Sequence, residues 1–398
     1  MKRSNNYKLP NIDLLESYDK EALENDTDAI SKAITDIVKE KGYDIRIADI
    51  REGPSYTRFY AKTEGKTKYK DIKELENDIA LGVESPNGSV VITDPIPMTK
   101  TFAIDVPNKK RSYVWLKSFL ENARFEETPL LLNIPLGLTN DGKLETINLW
   151  RQPHLLISGM VCSGKSSYLD SIINTLLLRT HPKDLKMILV DTIRVKFHSF
   201  KDIPNLLCPV INDPEEVVKV FLWLVKEMER RYYLFEKERA RNLDNYNEKT
   251  KGEHLPYVVL FIDEFSDAMA CDPINVERSI IQLARLSRAT GIHMVLCSQR
   301  PSTELFTGLM KSEIEARICF CTASKIDSRV ILEQEGAEKL LMKGDLLYKA
   351  PYSTTLIRAQ APYISEVEID KVAKYISEQS RPEYNDSLVK FIKANETQ

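Results

Sequence analysis

Glycine is scarce: 14 residues in 398, where a globular chain usually carries about 7%. This excludes collagen-like and glycine-rich linker proteins and makes each glycine informative. A surplus of one charge is also missing. Lys and Arg total 56 against 59 Asp and Glu, a formal net charge of −3. Such a chain does not grip nucleic acid through its overall charge, although a local basic channel stays open to it. No apolar run approaches the roughly 18 residues of a membrane-spanning helix. The first twenty residues, MKRSNNYKLPNIDLLESYDK, lack the apolar segment of a secretory signal. The six cysteines (Cys162, Cys208, Cys271, Cys297, Cys319 and Cys321) form no CxxC pair. They read as reduced thiols in a cytoplasmic protein with no zinc site. The five histidines have no metal-ligand spacing, and no Ser–His–Asp or Cys–His arrangement stands out. No internal repeat or low-complexity tract is present.

What remains is ordinary globular composition, 42% hydrophobic and 29% charged, long enough for two or three domains at about 150 residues each. The polar start to Pro10 reads as a linker. Residues 12–24 and 28–41 read as helices, the second from Ile30, Ala33, Ile34, Ile37 and Val38 at helical spacing with Gly42 as its stop. Tyr43–Ile50 and Tyr56–Thr63 alternate like strands around Gly53-Pro54. Asp71–Val83 has a helical period, and Ser89–Ile92 and Thr101–Val106 are short strands. Beyond about residue 130 the pattern changes. His154–Ser158, Met187–Val190, Val258–Ile262 and His293–Cys297 are continuous apolar runs separated by helical stretches. Strands apolar on both faces belong to a parallel sheet covered by helices. Residues 215–246 read as one long charged helix with a core-facing stripe. The expected fold is therefore α/β: a parallel sheet covered by helices, preceded by a small α+β subdomain. The divisions fall at 1–24 (linker and helix), 25–125 (subdomain), 126–385 (α/β unit) and 386–398 (tail).

The strongest motif is Gly159-Met160-Val161-Cys162-Ser163-Gly164-Lys165-Ser166, with Ser167 following. It fits G-x-x-x-x-G-K-[ST], with a buried strand before it and a helix from Lys165 to about Arg179 after it. The glycines let successive N–H groups converge on one concavity, and the helix adds its positive end. Lys165 is placed to meet the β- and γ-phosphates of ATP, and Ser166 to meet Mg²⁺. A second apolar strand ends in Asp263-Glu264. Acids at the C-terminal end of a central strand lie where ligands bind in open α/β sheets. Asp263 is assigned to the metal and Glu264 to activating a water, which favours hydrolysis over transfer. A third strand ends in Ser298-Gln299, and the Gln299 amide is assigned as γ-phosphate sensor.

On these residues the chain resembles the FtsK/SpoIIIE family of ring-forming DNA translocases, over nearly its whole length. Tyr7-Lys8-Leu9-Pro10 with Leu14-Leu15 looks like the linker-to-motor junction. Gly53–Phe59, Asp78–Leu81, Pro95-Ile96-Pro97 and Val106–Lys109 are similar to the first-subdomain signature. In the motor, Arg288–His293, Ser298–Ser302, Thr307–Lys311, Ser324–Arg329 and Gly344–Tyr348 occur in the family's order. Three departures stand out. Met160, Val161 and Cys162 replace small residues and a Thr. Glu313 stands where Asn is usual. Neither membrane helices nor a winged-helix reader of DNA sequence is present, so the expectation is a motor core without anchor or reader.

The resemblance implies that the α/β unit is a RecA-like P-loop NTPase motor, assembled as a ring, most simply a hexamer, that hydrolyses ATP with Mg²⁺ and moves along double-stranded DNA in segregation or transfer. It places Arg288 and Lys311 on channel-facing loops. Such a motor touches phosphates rather than bases and loses affinity steeply with salt. Lys62, Lys66, Lys68, Lys70 and Lys73 read as an exposed strand-and-turn face, with a DNA-facing collar as the alternative. Arg285, Arg317 and Arg329 are candidates for an arginine completing a neighbour's ATP site; the sequence does not choose among them. Two alternatives stay open: a related ring ATPase that recruits or exports protein in a secretion machine, and a binding module with decayed ATPase.

Overall fold

The computed structural model describes residues 7–17, 26–93, 95–96, 99–121, 131–250 and 252–394. A four-stranded antiparallel sheet, in the order β1-β2-β4-β3, builds the first unit. Its strands are β1 (Ile45–Glu52), β2 (Tyr56–Thr63), β3 (Val91–Ile92) and β4 (Phe102–Pro107). The helix Thr27–Glu40, capped by Asp26 on the Ala29 N–H, lies over it and buries Ile34 and Val38. Asp26 thus satisfies a donor that helix geometry leaves orphaned.

The second unit is a nine-stranded sheet in the order β7-β6-β14-β13-β12-β8-β11-β10-β9. Its members are β6 (Asn133–Thr139), β7 (Leu144–Asn148), β8 (His154–Ser158), β9 (Leu185–Val190), β10 (Tyr257–Ile262), β11 (Ile292–Ser298), β12 (Arg317–Phe320), β13 (Asp345–Lys349) and β14 (Leu356–Gln360). The run from β9 to β12 is parallel throughout. Alternation sorts its side chains onto two cores: Leu155 and Ile157 face one, Leu156 the other, as do Val259 and Phe261 against Leu260 and Ile262. The antiparallel extension β13-β14-β6-β7 was not anticipated. Pro135 and Gly137 interrupt β6, Glu145 and Thr146 interrupt β7, Arg358 interrupts β14, and Asp345 and Lys349 leave β13 only three apolar residues.

Several elements depart from the sequence reading. Residues 12–24 were expected to be helical; Ile12–Leu14 is a single 3-10 turn capped by Asn11, and 18–25 lie outside the described residues, as does Pro97 of the subdomain signature. Asp71–Val83 divides into Tyr69–Lys73 and Glu76–Gly82 at a tight turn, where the Leu75 N–H reaches back to the Ile72 carbonyl at 2.9 Å. The long charged helix runs Pro214–Lys237 and stops because Arg239 turns left-handed at φ 51°, with Ala240 N–H closing on Phe235 O at 2.8 Å. A separate helix, Leu243–Lys249, follows with Asn242 as its cap. Asp386–Lys393, expected as tail, is a helix with Leu388 and Ile392 buried in the core beside Val220 and Leu224.

The unit boundary also shifts. The strand β5 (Val114–Trp115) pairs with β15 (Pro362–Tyr363), not with the first sheet. Leu116 and Leu120 join the motor core. Polar contacts join the two units. Arg58 holds Asp105 through two bonds of 2.6 and 2.8 Å, and Asn140 donates to the same carboxylate at 2.9 Å. Arg358 donates twice to Asp345 (3.1 and 2.7 Å), Tyr56 donates to Asp345 at 3.1 Å, and the guanidinium sits 3.7 Å over the Tyr56 ring. Buried charges in such a set are tolerated because each has a partner.

Candidate active site

The phosphate loop leaves β8 at Ser158 and enters the helix Lys165–Arg179, as its motif requires. Two glycines are forced by close approach. A Cβ on Gly159 would lie 2.5 Å from Phe320 Cβ. One on Gly164, which has φ +108°, would lie 2.4 Å from Gly344 N. The loop is pinned from outside: Met160 N–H donates to Cys321 O (2.9 Å), and Gly344 N–H donates to Ser163 O (2.8 Å). Cys162 takes the left-handed conformation, φ 62°, and is exposed.

A cavity of about 350 Å³ opens along the loop, lined by Met160 through Ser167 and by Gln299. Its remaining wall was missed by the sequence reading: Tyr113, Lys343, Gly344, Gln360, Ala361, Pro362 and Tyr363. Only Gly344, in the family-like Gly344–Tyr348 segment, signalled this wall. Tyr113 and Tyr363 lie with ring centroids 4.8 Å apart and planes tilted by 33°, giving this wall an aromatic face. Gln360 bridges the two units. Ser55 donates to its Oε1 at 2.6 Å, and its Nε2 donates to Lys343 O at 2.7 Å.

The acids meet the loop at one corner. Lys165 is 3% exposed; its Nζ donates to the Asp263 carbonyl at 3.0 Å and lies 3.6 Å from Asp263 Oδ1. That Oδ1 accepts no hydrogen bond, and neither Ser158 Oγ nor Ser163 Oγ has a partner. Unpaired polar atoms in a buried corner are costly unless a ligand completes them. Glu264 is fixed at both oxygens: Ser266 Oγ donates to Oε1 (2.7 Å), and Gln299 N–H donates to Oε2 (2.8 Å). This clamps the ends of β10 and β11 together and leaves the Gln299 side chain on the cavity. Nearby, Asp170 pairs with Lys196. Burial raises the Asp170 carboxyl to about 6, against the lowering effect of the Lys196 ammonium.

The DNA-contact and trans-acting candidates lie elsewhere. Arg288 sits at the opposite end of the sheet, with its guanidinium 4.9 Å over Trp150 and Nε donating to the Trp150 carbonyl at 3.1 Å. Lys311 donates to Val330 O at 3.1 Å, and burial lowers its pKa. Arg317 is buried, bonded to the Ile314, Ile331 and Lys311 carbonyls. Arg285 pairs with Glu313 at 2.7 Å, so the acid that departs from the family pattern has an immediate counter-charge. Arg329 pairs with Glu335 on the exposed surface.

A parallel sheet with a phosphate loop, a glutamine at the end of the adjacent strand β11 and an acid pair at the end of the next, β10, defines a P-loop ATPase motor fold. Comparison places it more narrowly. The FtsK/SpoIIIE family model matches residues 115–303, and the FtsK alpha domain model matches 9–108. The chain is 39% identical over 359 residues to a DNA translocase FtsK of Caldanaerobacter subterraneus, covering 90% of this chain and 50% of that one. It is 36% identical over 390 residues to the DNA translocase SftA of Bacillus subtilis, covering 96% and 40%. The protein belongs to the FtsK/SpoIIIE family, and it spans half or less of the length of these two relatives. Among solved structures it shares its fold with the pCW3 conjugation coupling protein TcpA with ATPγS (TM-score 0.61, 22% identity, 88% of this chain and 100% of that one). The type VII secretion ATPase EccC of Thermomonospora curvata is similar over 72% of this chain and 36% of that one (TM-score 0.60, 24% identity). No helix among the described residues is long and apolar enough to cross a membrane.

Proposed function

We propose that this chain is an ATP-driven motor that moves double-stranded DNA as a ring, most simply a hexamer. The observation that carries the reading is the corner where Lys165, the Asp263 Oδ1 that accepts no hydrogen bond and the clamped Glu264 meet at the phosphate loop. The triphosphate lies along the loop amides, with Lys165 on its β- and γ-phosphates. Ser166 and Asp263 offer a hydroxyl and a carboxylate, the hard oxygen donors that Mg²⁺ prefers, and would hold it. Bound there, the ion would neutralise charge on the phosphate oxygens. Glu264 accepts the proton of the attacking water, and the Gln299 side chain reports the γ-phosphate. Tyr113 and Tyr363 supply an apolar seat for the base.

Duplex DNA as the cargo rests on relatives at 36–39% identity that are named DNA translocases. The secretion-ATPase reading rests on 24% identity to a shared fold. Arg288, exposed on its tryptophan, is assigned to a DNA phosphate. Lys311 is assigned with it, and must leave the Val330 carbonyl to make that contact. Arg317 is spent on its own backbone, which leaves Arg285 and Arg329 to complete a neighbour's site. The test is ATPase rate with and without long linear duplex DNA at two salt concentrations. Stimulation at low salt that fades at high salt is expected. A rate indifferent to DNA at both overturns the reading.

A further inference from the structure

Telling one purine from another takes polar groups aimed at the base edge, where adenine carries an amino group and guanine an oxygen. The phosphate loop and Gln299 belong to the phosphates, which leaves the far wall of the cavity to meet a base. The polar groups of that wall are turned inward. Gln360 is 6% exposed; it accepts from Ser55 Oγ at 2.6 Å and donates to Lys343 O at 2.7 Å. Gly344 N–H donates to Ser163 O at 2.8 Å, and Ala361 N–H donates to Gly344 O at 2.7 Å. Pro362 has no N–H, and its carbonyl accepts from Ser171 Oγ at 2.9 Å. Among the described residues no aspartate or glutamate lines the cavity to take the ring N–H and amino group of guanine. The groups that remain do not select. A tyrosine hydroxyl donates or accepts as required, and the Lys343 ammonium finds the acceptor N7 on either purine. The rest of the wall is aromatic. Trp115 backs Tyr113 and Tyr363 with centroids at 5.5 and 5.4 Å, and a ring face takes any base.

We infer that the chain is a purine nucleoside triphosphatase and not a dedicated ATPase: it binds and hydrolyses GTP in the cavity that takes ATP, and moves DNA on either. This rests on the nucleotide reading above. It holds for a base against the aromatic wall and for one turned out to solvent, since neither position is read. The scale of discrimination separates the two kinds of site. A site that hydrogen-bonds the distinguishing group of its substrate rejects the wrong one by about 10⁴–10⁵-fold, whereas a pocket that reads by apolar contact manages about 10–200-fold. This cavity is of the second kind.

The experiment measures kcat/KM for ATP and for GTP on the full chain with Mg²⁺ and duplex DNA. Binding of each is measured alongside, by competition against an ATP analogue with a fluorescent label on its ribose. The two values of kcat/KM should agree within about tenfold, the lower end of the apolar scale. Tyr113→Ala and Tyr363→Ala should move both nucleotides together, by at most about tenfold, and leave their ratio unchanged. A larger preference for ATP in the wild type overturns the proposal. So does a tyrosine variant that loses one nucleotide and keeps the other. So does a preference absent from binding to dilute protomers and present in the DNA-bound assembly, which would give base selection to the neighbouring subunit. Failure of the fluorescent analogue to bind the wild type at all would instead sink the nucleotide reading beneath it.

Discussion

The buried cations at the two ends of the central strands are held by opposite rules. At the N-terminal end the buried Arg231 is saturated: Nε donates to Glu227 Oε1 at 2.8 Å, and Nη1 to the Pro256 and Thr290 carbonyls, both at 2.8 Å. At the C-terminal end the buried Lys165 has one carbonyl at 3.0 Å and one carboxylate at 3.6 Å, and the Ser158 and Ser163 hydroxyls of the loop have no hydrogen-bond partner. The first cation is fully partnered and contributes stability, although His154 Nδ1 and His293 Nε2 at that end also have no partner. The second is left short of partners, which is what a ligand would relieve.

Substitutions should separate the two ends, starting with the largest effect. Glu264→Gln should lower the hydrolysis rate about 10²–10⁴-fold with nucleotide binding retained, measured by steady-state ATPase and equilibrium binding. Arg231→Met should leave Glu227 short of its deepest partner and cost about 3–5 kcal/mol of stability, read from denaturant unfolding. Lys165→Ala at the other end should abolish nucleotide binding and move unfolding by far less. If Lys165→Ala proves the more destabilising of the two, the contrast fails.

Gln360→Ala sharpens the comparison from the side. It removes the bridge between Ser55 and Lys343, and with it the seat of Gly344 against the phosphate loop. KM for ATP should rise about three- to tenfold, the scale of one or two lost hydrogen bonds, with kcat less affected. A purely structural role would lower the melting temperature and leave KM alone.

A pH effect should come from the N-terminal end. Burial holds His293 at about 4 and drives His154 well below its usual value, so both are neutral in the folded chain. The unfolded chain binds their protons first, so stability is present above about pH 6.5 and is lost as pH falls toward 4. For His293 alone the loss approaches about 3 kcal/mol. Asp170, raised to about 6, has the opposite sign: its contribution falls as pH rises from about 4 to 6. A His293→Phe variant should flatten the acid limb of a thermal-melt series.

How much of this was legible in the sequence follows the same division. The parallel strands β8, β9, β10 and β11, the phosphate loop and its helix were legible because each is a continuous pattern: an apolar run, a fixed spacing, a helical period. The short parallel strand β12, with only Ile318-Cys319-Phe320 apolar, and the antiparallel strands β13, β14, β6 and β7, short or broken by polar residues, proline or glycine, went unread. The far wall of the nucleotide cavity was invisible for another reason. Tyr113 meets Tyr363 only through the pairing of β5 with β15, across almost 250 positions, and neither residue carries a motif. The roles of Arg231 and Arg317 were hidden because a buried arginine and a solvated one look alike in a sequence. Only the fold shows where each guanidinium's hydrogen bonds go.

The most direct measurement is displacement of a third strand from a linear duplex. With ATP and Mg²⁺, the assembled protein should strip a triplex-forming oligonucleotide whatever the flanking sequence, while Glu264→Gln binds the same DNA and releases nothing. A wild type that hydrolyses ATP on that DNA and leaves the third strand in place would contradict the coupling of the nucleotide corner to movement.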